Sequence, residues 1–229
     1  MQKSPAIAAW IFMGMLTLVL WSCGGSGSFY SRSTAPEVSL SKVAVVPYSV
    51  VRARQGEVMV SSPITGDMFR TGPVEPGAED IMTDLLMQHL GNNPRYYLVS
   101  SPTVTDSIQE ILSRERAERT RDQIMKMGQQ FGSDGILIGF IYAFRERVGK
   151  AYSVESPASV SFDLYLLRTD TGQLMWKAGF TRTQQPVVSN VLDLHDFAGG
   201  LRWLTATQLA EVGFKQMFEK FPLITGGNQ

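Results

Sequence analysis

The stretch Gly135–Arg145, GILIGFIYAFR, limits what this chain can fold into more than any other. From Ile136 to Phe144 it carries no charge, and it is apolar at both parities, so neither side of an extended strand could face water. Such a strand has to lie inside a sheet covered on both faces. A partner for it comes next in the chain. In ASVSFDLYLLR, Val160, Phe162, Leu164 and Leu166 point one way, and Ser161, Asp163 and Tyr165 the other. The tetrapeptide Thr169–Gly172, TDTG, is a tight turn with glycine where positive φ is wanted. QLMWKAGFT then returns, with Leu174, Trp176, Ala178 and Phe180 expected on one face. The second half of the chain is thus an antiparallel meander.

The first half alternates. Lys42–Tyr48, KVAVVPY, is a valine-rich run stopped by Pro47 and reads as a strand buried on both faces. PGAEDIMTDLLMQHLGNN reads as a helix: Glu79 and Asp80 suit the positive end of its dipole, Ile81, Met82, Leu85 and Leu86 recur at helical spacing, and Gly91 stops it. RYYLVS is a short strand. Pro102 introduces a helical region, Thr103 to Phe131, whose polar middle is supported by the i,i+4 pairs Glu110–Arg114 and Glu115–Arg119. Residues 49–78, broken by Pro63, Pro73 and Pro76, read mostly as loop, with a hairpin expected around Gln55-Gly56. LRWLTATQLAEVGFKQMFEKFP closes the chain as an amphipathic helix with Leu201, Leu204, Leu209, Val212, Met217 and Phe221 on its apolar stripe. The order β-α-β-α-β-β-β-α predicts an α/β (α+β) domain: a single mixed β-sheet with a βαβ start and a C-terminal antiparallel meander, helices packed on it.

The other end of the chain carries an address. Cys23 is the sole cysteine. Before it, Lys3 is the only charge, and Ala6 to Trp21 is apolar and somewhat short for a spanning helix. Leu20-Trp21-Ser22-Cys23 resembles the lipobox of bacterial lipoproteins, with the bulky Trp21 departing from the usual pattern. The resemblance implies a signal peptide over residues 1–22, cleavage before Cys23, and acylation of its sulfur and new amino group. Two or three acyl chains hold a protein stably where one does not. The other readings of Cys23 are an idle residue behind an uncleaved anchor helix, or a catalytic thiol with no histidine nearby in sequence to activate it. Gly24–Ala35, GGSGSFYSRSTA, is rich in Gly and Ser and reads as a flexible leash, extending the tether over residues 23–39. A single α/β domain over residues 40–223 and a disordered tail over 224–229 complete the expected organisation. Gly24 after the cysteine implies, by resemblance to the sorting rule of Gram-negative lipoproteins, the periplasmic face of the outer membrane.

The meander carries a second resemblance. KVAVVPY, GSDGILIGFIYAF and the hairpin Leu167–Trp176, LRTDTGQLMW, together look like the α/β domain shared by the N-terminal domain of TolB, the outer-membrane activator lipoproteins of peptidoglycan synthases, and the curli secretion lipoprotein. The likeness covers roughly residues 40–221. It implies either a tethered interaction module for an envelope protein, or a homo-oligomeric ring in an outer-membrane secretion system. A pore would need strands of about 9–11 residues; the only candidate regions, 49–76 and 184–200, are interrupted by Pro63, Pro73 and Pro186.

Little chemistry stands out. Lys plus Arg equal Asp plus Glu at 21 each, which leaves no global field to attract nucleic acid. G-x-S-x-G, G-x-G-x-x-G and P-loop patterns do not occur. Of the two histidines, His89 sits near a helix end, and His195, with Asp193 and Asp196, reads as a polar loop rather than a metal or acid–base site. Arg114, Arg116, Arg119 and Arg121 form a basic run interleaved with Glu115 and Glu118, a solvated helix face that could dock a partner. No catalytic residue, metal or cofactor is expected beyond the lipid on Cys23. The predicted protein is a lipid-anchored, non-catalytic periplasmic module that assembles or regulates a cell-envelope complex.

Overall fold

The computed structural model describes residues 27–99, 102–112, 117–150, 153–184 and 203–226. In chain order the strands are β1 (Gly27–Ser33), β2 (Glu37–Ser39), β3 (Val43–Val45), β4 (Ser49–Val50), β5 (Met59–Ser61), β6 (Met68–Arg70), β7 (Tyr96–Leu98), β8 (Gly135–Arg145), β9 (Val148–Lys150), β10 (Ser153–Ser156), β11 (Ser159–Arg168), β12 (Leu174–Thr183) and β13 (Leu223–Thr225). The helices are α1 (Ala78–Leu90), α2 (Pro102–Leu112), α3 (Ala117–Gln130) and α4 (Ala206–Phe218). Seven strands form one open mixed sheet in the order β1-β12-β11-β8-β3-β7, with β4 paired to β8 above β3. The pairs β3–β7, β3–β8 and β4–β8 are parallel, and β8, β11, β12 and β1 run antiparallel to one another in turn. This is the predicted mixed sheet, βαβ start and meander included.

Both faces of β8 are buried over ten residues, as its sequence requires. On one side Leu137, Ile141, Phe162, Leu164, Trp176 and Phe180 meet α1 and α4. On the other, Ile136, Ile138, Phe140, Tyr142, Tyr165 and Leu167 meet α2, α3 and a small hairpin, β5–β6. The sheet is therefore the middle of three layers. Close approach at its centre needs Gly139: a Cβ there would lie 2.3 Å from Cε1 of Tyr48, whose ring lies edge-on to Phe162 and Phe214. At the far turn Gly172 has φ +66°, as the TDTG reading requires.

Five expectations are corrected. The leash is not free over its length, because Gly27–Ser33 pairs residue for residue with Arg182–Trp176 as the edge strand β1. Its Phe29 packs on the α1/α4 core and its Tyr30 on the other, so a Gly/Ser-rich stretch with two adjacent aromatics serves both faces. The tail is not free over its length either: Leu223–Thr225 pairs in parallel with Glu37–Ser39 and buries Ile224 beside Val38. The hairpin expected at Gln55-Gly56 lies further on, since β4 joins β8 and the pairing strands are β5 and β6. Leu174 packs with the opposite core from Trp176, because the register shifts between Leu166 and Leu167. The last helix begins at Ala206 rather than Leu201, where Thr205 and Gln208 form a capping box that satisfies the first amides.

Candidate functional site

The densest set of polar side chains inside the protein lies where β5–β6 covers the sheet. Asp163, on β11, is wholly buried. Its Oδ2 accepts hydrogen bonds from Tyr142 Oη at 2.5 Å and Tyr165 Oη at 2.6 Å, and its Oδ1 accepts from the Phe140 amide at 3.2 Å. Tyr142 and Phe140 come from the neighbouring strand β8, and Tyr165 is two residues along β11, so strand alternation puts all these groups on one face. Because Tyr165 gives its proton to Asp163, it accepts from Ser62 Oγ at 2.7 Å. Ser62 belongs to the hairpin, and its amide donates to Asp67 O at 2.7 Å across the turn. Thr65 Oγ1, 3.2 Å from Tyr165 Oη, donates to Asp67 Oδ2 at 2.8 Å, which also takes Lys177 Nζ of β12 at 2.5 Å. The ring of Phe69 stacks on Tyr142 at 4.2 Å and 7°, adding an apolar contact to the same fastening.

Electrostatics are set by burial. Desolvation pushes the Asp163 carboxyl up to about 7, against the opposing pull of hydrogen bonds from Tyr142, Tyr165, Ser62 and the Phe140 amide. Burial and the neighbouring Asp163 raise the phenols of Tyr142 and Tyr165, which keeps both as donors. Burial also acts to raise Asp67, but the bonds from Lys177 and Thr65 outweigh it and hold this carboxyl below its ordinary value. Asp163 and Ser62 have essentially no exposed surface, whereas the Asp67 side chain at the outer end of the network is 38% exposed. What it does is fasten the hairpin to the sheet.

The outer side of the hairpin differs. Val60 and Phe69 face inward, while Met59 and Met68 point out, 38% and 59% exposed, next to Val58 at 70%. A groove of about 780 Å³ runs beside it, lined by Met59, Ser62, Pro63, Met68, Leu112 and Thr120. Of the predicted docking arginines, Arg121 on α3 reaches this region: its Nε donates to Ile64 O at 2.9 Å, joining helix and hairpin. Arg114 and Arg116 lie outside the described residues, as does the side chain of Arg119. Leu20, Trp21, Ser22 and Cys23 lie outside them too, and so do Asp193, His195 and Asp196. His89 stacks at 5.4 Å on Phe214, with Nδ1 2.9 Å from Leu85 O, a helix-end position as expected. Among the described residues no group of three or more His, Cys, Asp or Glu could hold a metal, and no helix is long and apolar enough to cross a membrane.

Sequence motifs do not single out Asp163, Tyr142 and Ser62 as a site. A signal is nevertheless present: Asp163 is the one acid between Val160 and Leu167, on a strand whose neighbour is apolar on both faces. A carboxylate in that setting has to find donors.

No family model matches the chain, and no curated protein matches it. Solved structures with a similar course include a PelC dodecamer from Paraburkholderia phytofirmans (TM-score 0.48, 12% identity, covering 85% of this chain and 97% of that one). They also include lipoprotein GNA1162 from Neisseria meningitidis (0.36, 14%, 69% and 99%) and the LpoB C-terminal domain from Escherichia coli (0.34, 17%, 75% and 94%). One of these is described as a lipoprotein. At such identities and scores, function has to come from the chain's own residues.

Proposed function

We propose that the chain is a lipid-anchored, non-catalytic module that assembles or regulates a cell-envelope complex on the periplasmic face of the outer membrane, held there by acylated Cys23. The anchor reading is supported by Leu20-Trp21-Ser22-Cys23 at the end of an apolar run. The module reading is carried by the β5–β6 hairpin, which bonds inward through Ser62, Thr65 and Asp67 and turns Met59 and Met68 outward beside Arg121. Exposed methionines on a fixed support suit a protein contact, since the thioether is apolar and its side chain adapts to the partner.

Crosslinking in living cells tests this, with purification of a C-terminally tagged protein and identification of attached chains by mass spectrometry. The expected result is a different envelope protein, lost in Cys23→Ala. The second reading is a homo-oligomeric ring in an outer-membrane secretion system, favoured by the sheet edges at β1 and β7, which carry no further strand among the described residues. Recovery of the chain bound only to itself, in a large discrete assembly, would put that reading first.

A further inference from the structure

β1 changes what a lipid on Cys23 would do. With the sheet starting at Gly27, only Gly24, Gly25 and Ser26 separate it from the cysteine. Four residue steps span at most about 14 Å. Gly27 pairs with Arg182, Arg182 with Val160, and Val160 with Phe144, so these four residues lie at one level of the sheet. Beyond Arg145, which pairs with Ser159, the chain leaves the sheet at this same end and forms the β9–β10 hairpin. The hairpin therefore leaves the sheet at the end from which the leash starts.

We propose, resting on the reading that Cys23 is lipidated, that this short leash turns the Gly27 end of the sheet to the membrane and lays the β9–β10 hairpin on the lipid headgroups. The chemistry of that end fits a phospholipid surface. Arg145, Arg147, Lys150 and Arg182 stand there with Glu75, Glu146 and Glu155; the Glu75 amide donates to Phe144 O at 2.9 Å, and one guanidinium nitrogen of Arg145 donates to Pro157 O at 3.2 Å. The Glu146 carboxylate is already engaged, accepting the Ala206 amide at 3.0 Å and the Arg147 amide at 2.9 Å. Val148 is 53% exposed, and Lys150 beside it is exposed as well. Cationic groups with long apolar stems beside an exposed valine match the boundary between headgroup phosphates and acyl chains. The TDTG turn lies at the opposite end, about 30 Å away along β12.

The test uses the absence of any cysteine other than Cys23. In the full lipidated protein, Val148→Cys or Thr171→Cys provides the only free thiol. Each is labelled with a bimane fluorophore and reconstituted in phosphatidylethanolamine–phosphatidylglycerol vesicles containing a lipid with a nitroxide headgroup. Quenching severalfold stronger at 148 than at 171 is expected. Equal quenching, or stronger quenching at 171, overturns the orientation. A flexible Gly/Ser insertion before Gly27 should reduce quenching at 148; no change would overturn the role given to leash length. Intact mass separates the two levels of failure: an unmodified Cys23 overturns the anchor and the orientation with it, whereas a lipidated chain without the difference overturns the orientation alone.

Discussion

On one face of the sheet, α1 and α4 press Met82, Leu86, Phe214 and Met217 onto Leu137, Phe162 and Trp176, and rings touch rings: Phe214 lies 5.2 Å from Phe162 and 5.9 Å from Tyr48. On the other face, α2 and α3 share the surface with a hairpin fastened by hydroxyls and a buried carboxyl. The difference separates two kinds of information. Apolar contact is non-directional and stabilises any close fit, so the α1/α4 face sets how firmly the fold holds. Hydrogen bonds to Asp163 and Tyr165 are directional, and they determine where the β5–β6 hairpin sits. A polar chain of this kind adds little net stability compared with apolar packing, but a half-satisfied one is costly.

The comparison breaks first at Phe214. It is fully buried beneath Tyr48, Phe162 and His89. Phe214→Ala should cost about 3–5 kcal/mol, which in a domain of ordinary stability leaves little reserve. Urea unfolding followed by circular dichroism measures it. A loss comparable to that of a surface substitution would contradict the assignment of stability to this face.

The second test is pH, and it concerns the other face. Asp163 in the folded protein keeps its proton up to about pH 7, its O–H then donating to one of the two phenol oxygens from which the ionised carboxylate accepts, while its ordinary value is 3.8. Between those values the native state binds more protons than the unfolded state, so stability falls as pH rises through that window and is flat above it. At about 1.4 kcal/mol per pH unit, the change is on the order of 4 kcal/mol. Asp163→Asn should remove this component from a plot of unfolding free energy against pH. The slope is the diagnostic rather than stability at one pH, because an asparagine that keeps its oxygen on Tyr142 and Tyr165 points its NH2 at the Phe140 amide. An unchanged slope would show that Asp163 is ionised throughout.

These two faces were not equally legible in the sequence. β8, β11, α1 and the TDTG turn are dictated by apolar runs, spacing and one glycine, all local properties. The polar face depends on contacts across long separations: Ser62 meets Tyr165 from 103 residues away, and Lys177 meets Asp67 from 110. Nothing in the loop-like composition of residues 49–78 shows that a β11 hydroxyl waits for it. The edge strand was hidden for a related reason. Gly27–Ser33 has a linker's composition, and what makes it a strand is the unpaired edge of β12, with Trp176 Nε1 donating to Ser31 Oγ at 3.1 Å. The lipobox resemblance, by contrast, rests on four adjacent residues that lie outside the described ones.

A smaller effect is expected from Tyr165→Phe, which leaves the apolar ring and removes only the hydroxyl between Asp163, Ser62 and Thr65. Leaving buried partners short of a bond should cost about 1–3 kcal/mol. The loss should be local. Amide exchange should speed up at Ser62 and Gly66, whose N–H groups bond within the hairpin, while Phe162 and Leu164 in β11 keep their protection. Uniform acceleration in the hairpin and β11 would mean that the hydroxyl supports the whole sheet instead of the hairpin's position.

The smallest effect on stability should come from Met68→Ser, and it is the sharpest test of what the hairpin is for. Met68 is more than half exposed, and the register places it opposite Ser61 on the outer side, away from Phe69 and the sheet. Removing it should change stability by no more than about 0.5 kcal/mol. If the hairpin is fastened so that its outer side can meet a partner, a crosslinked envelope protein should nevertheless be depleted in this variant, with the chain folded as before. Tyr165→Phe should deplete the same species through hairpin mobility, with Met68 still present. Agreement between an outward substitution that leaves stability alone and an inward one that loosens the hairpin would tie recognition to the position of β5–β6. Retention of the partner by both variants would move the docking surface elsewhere on the domain.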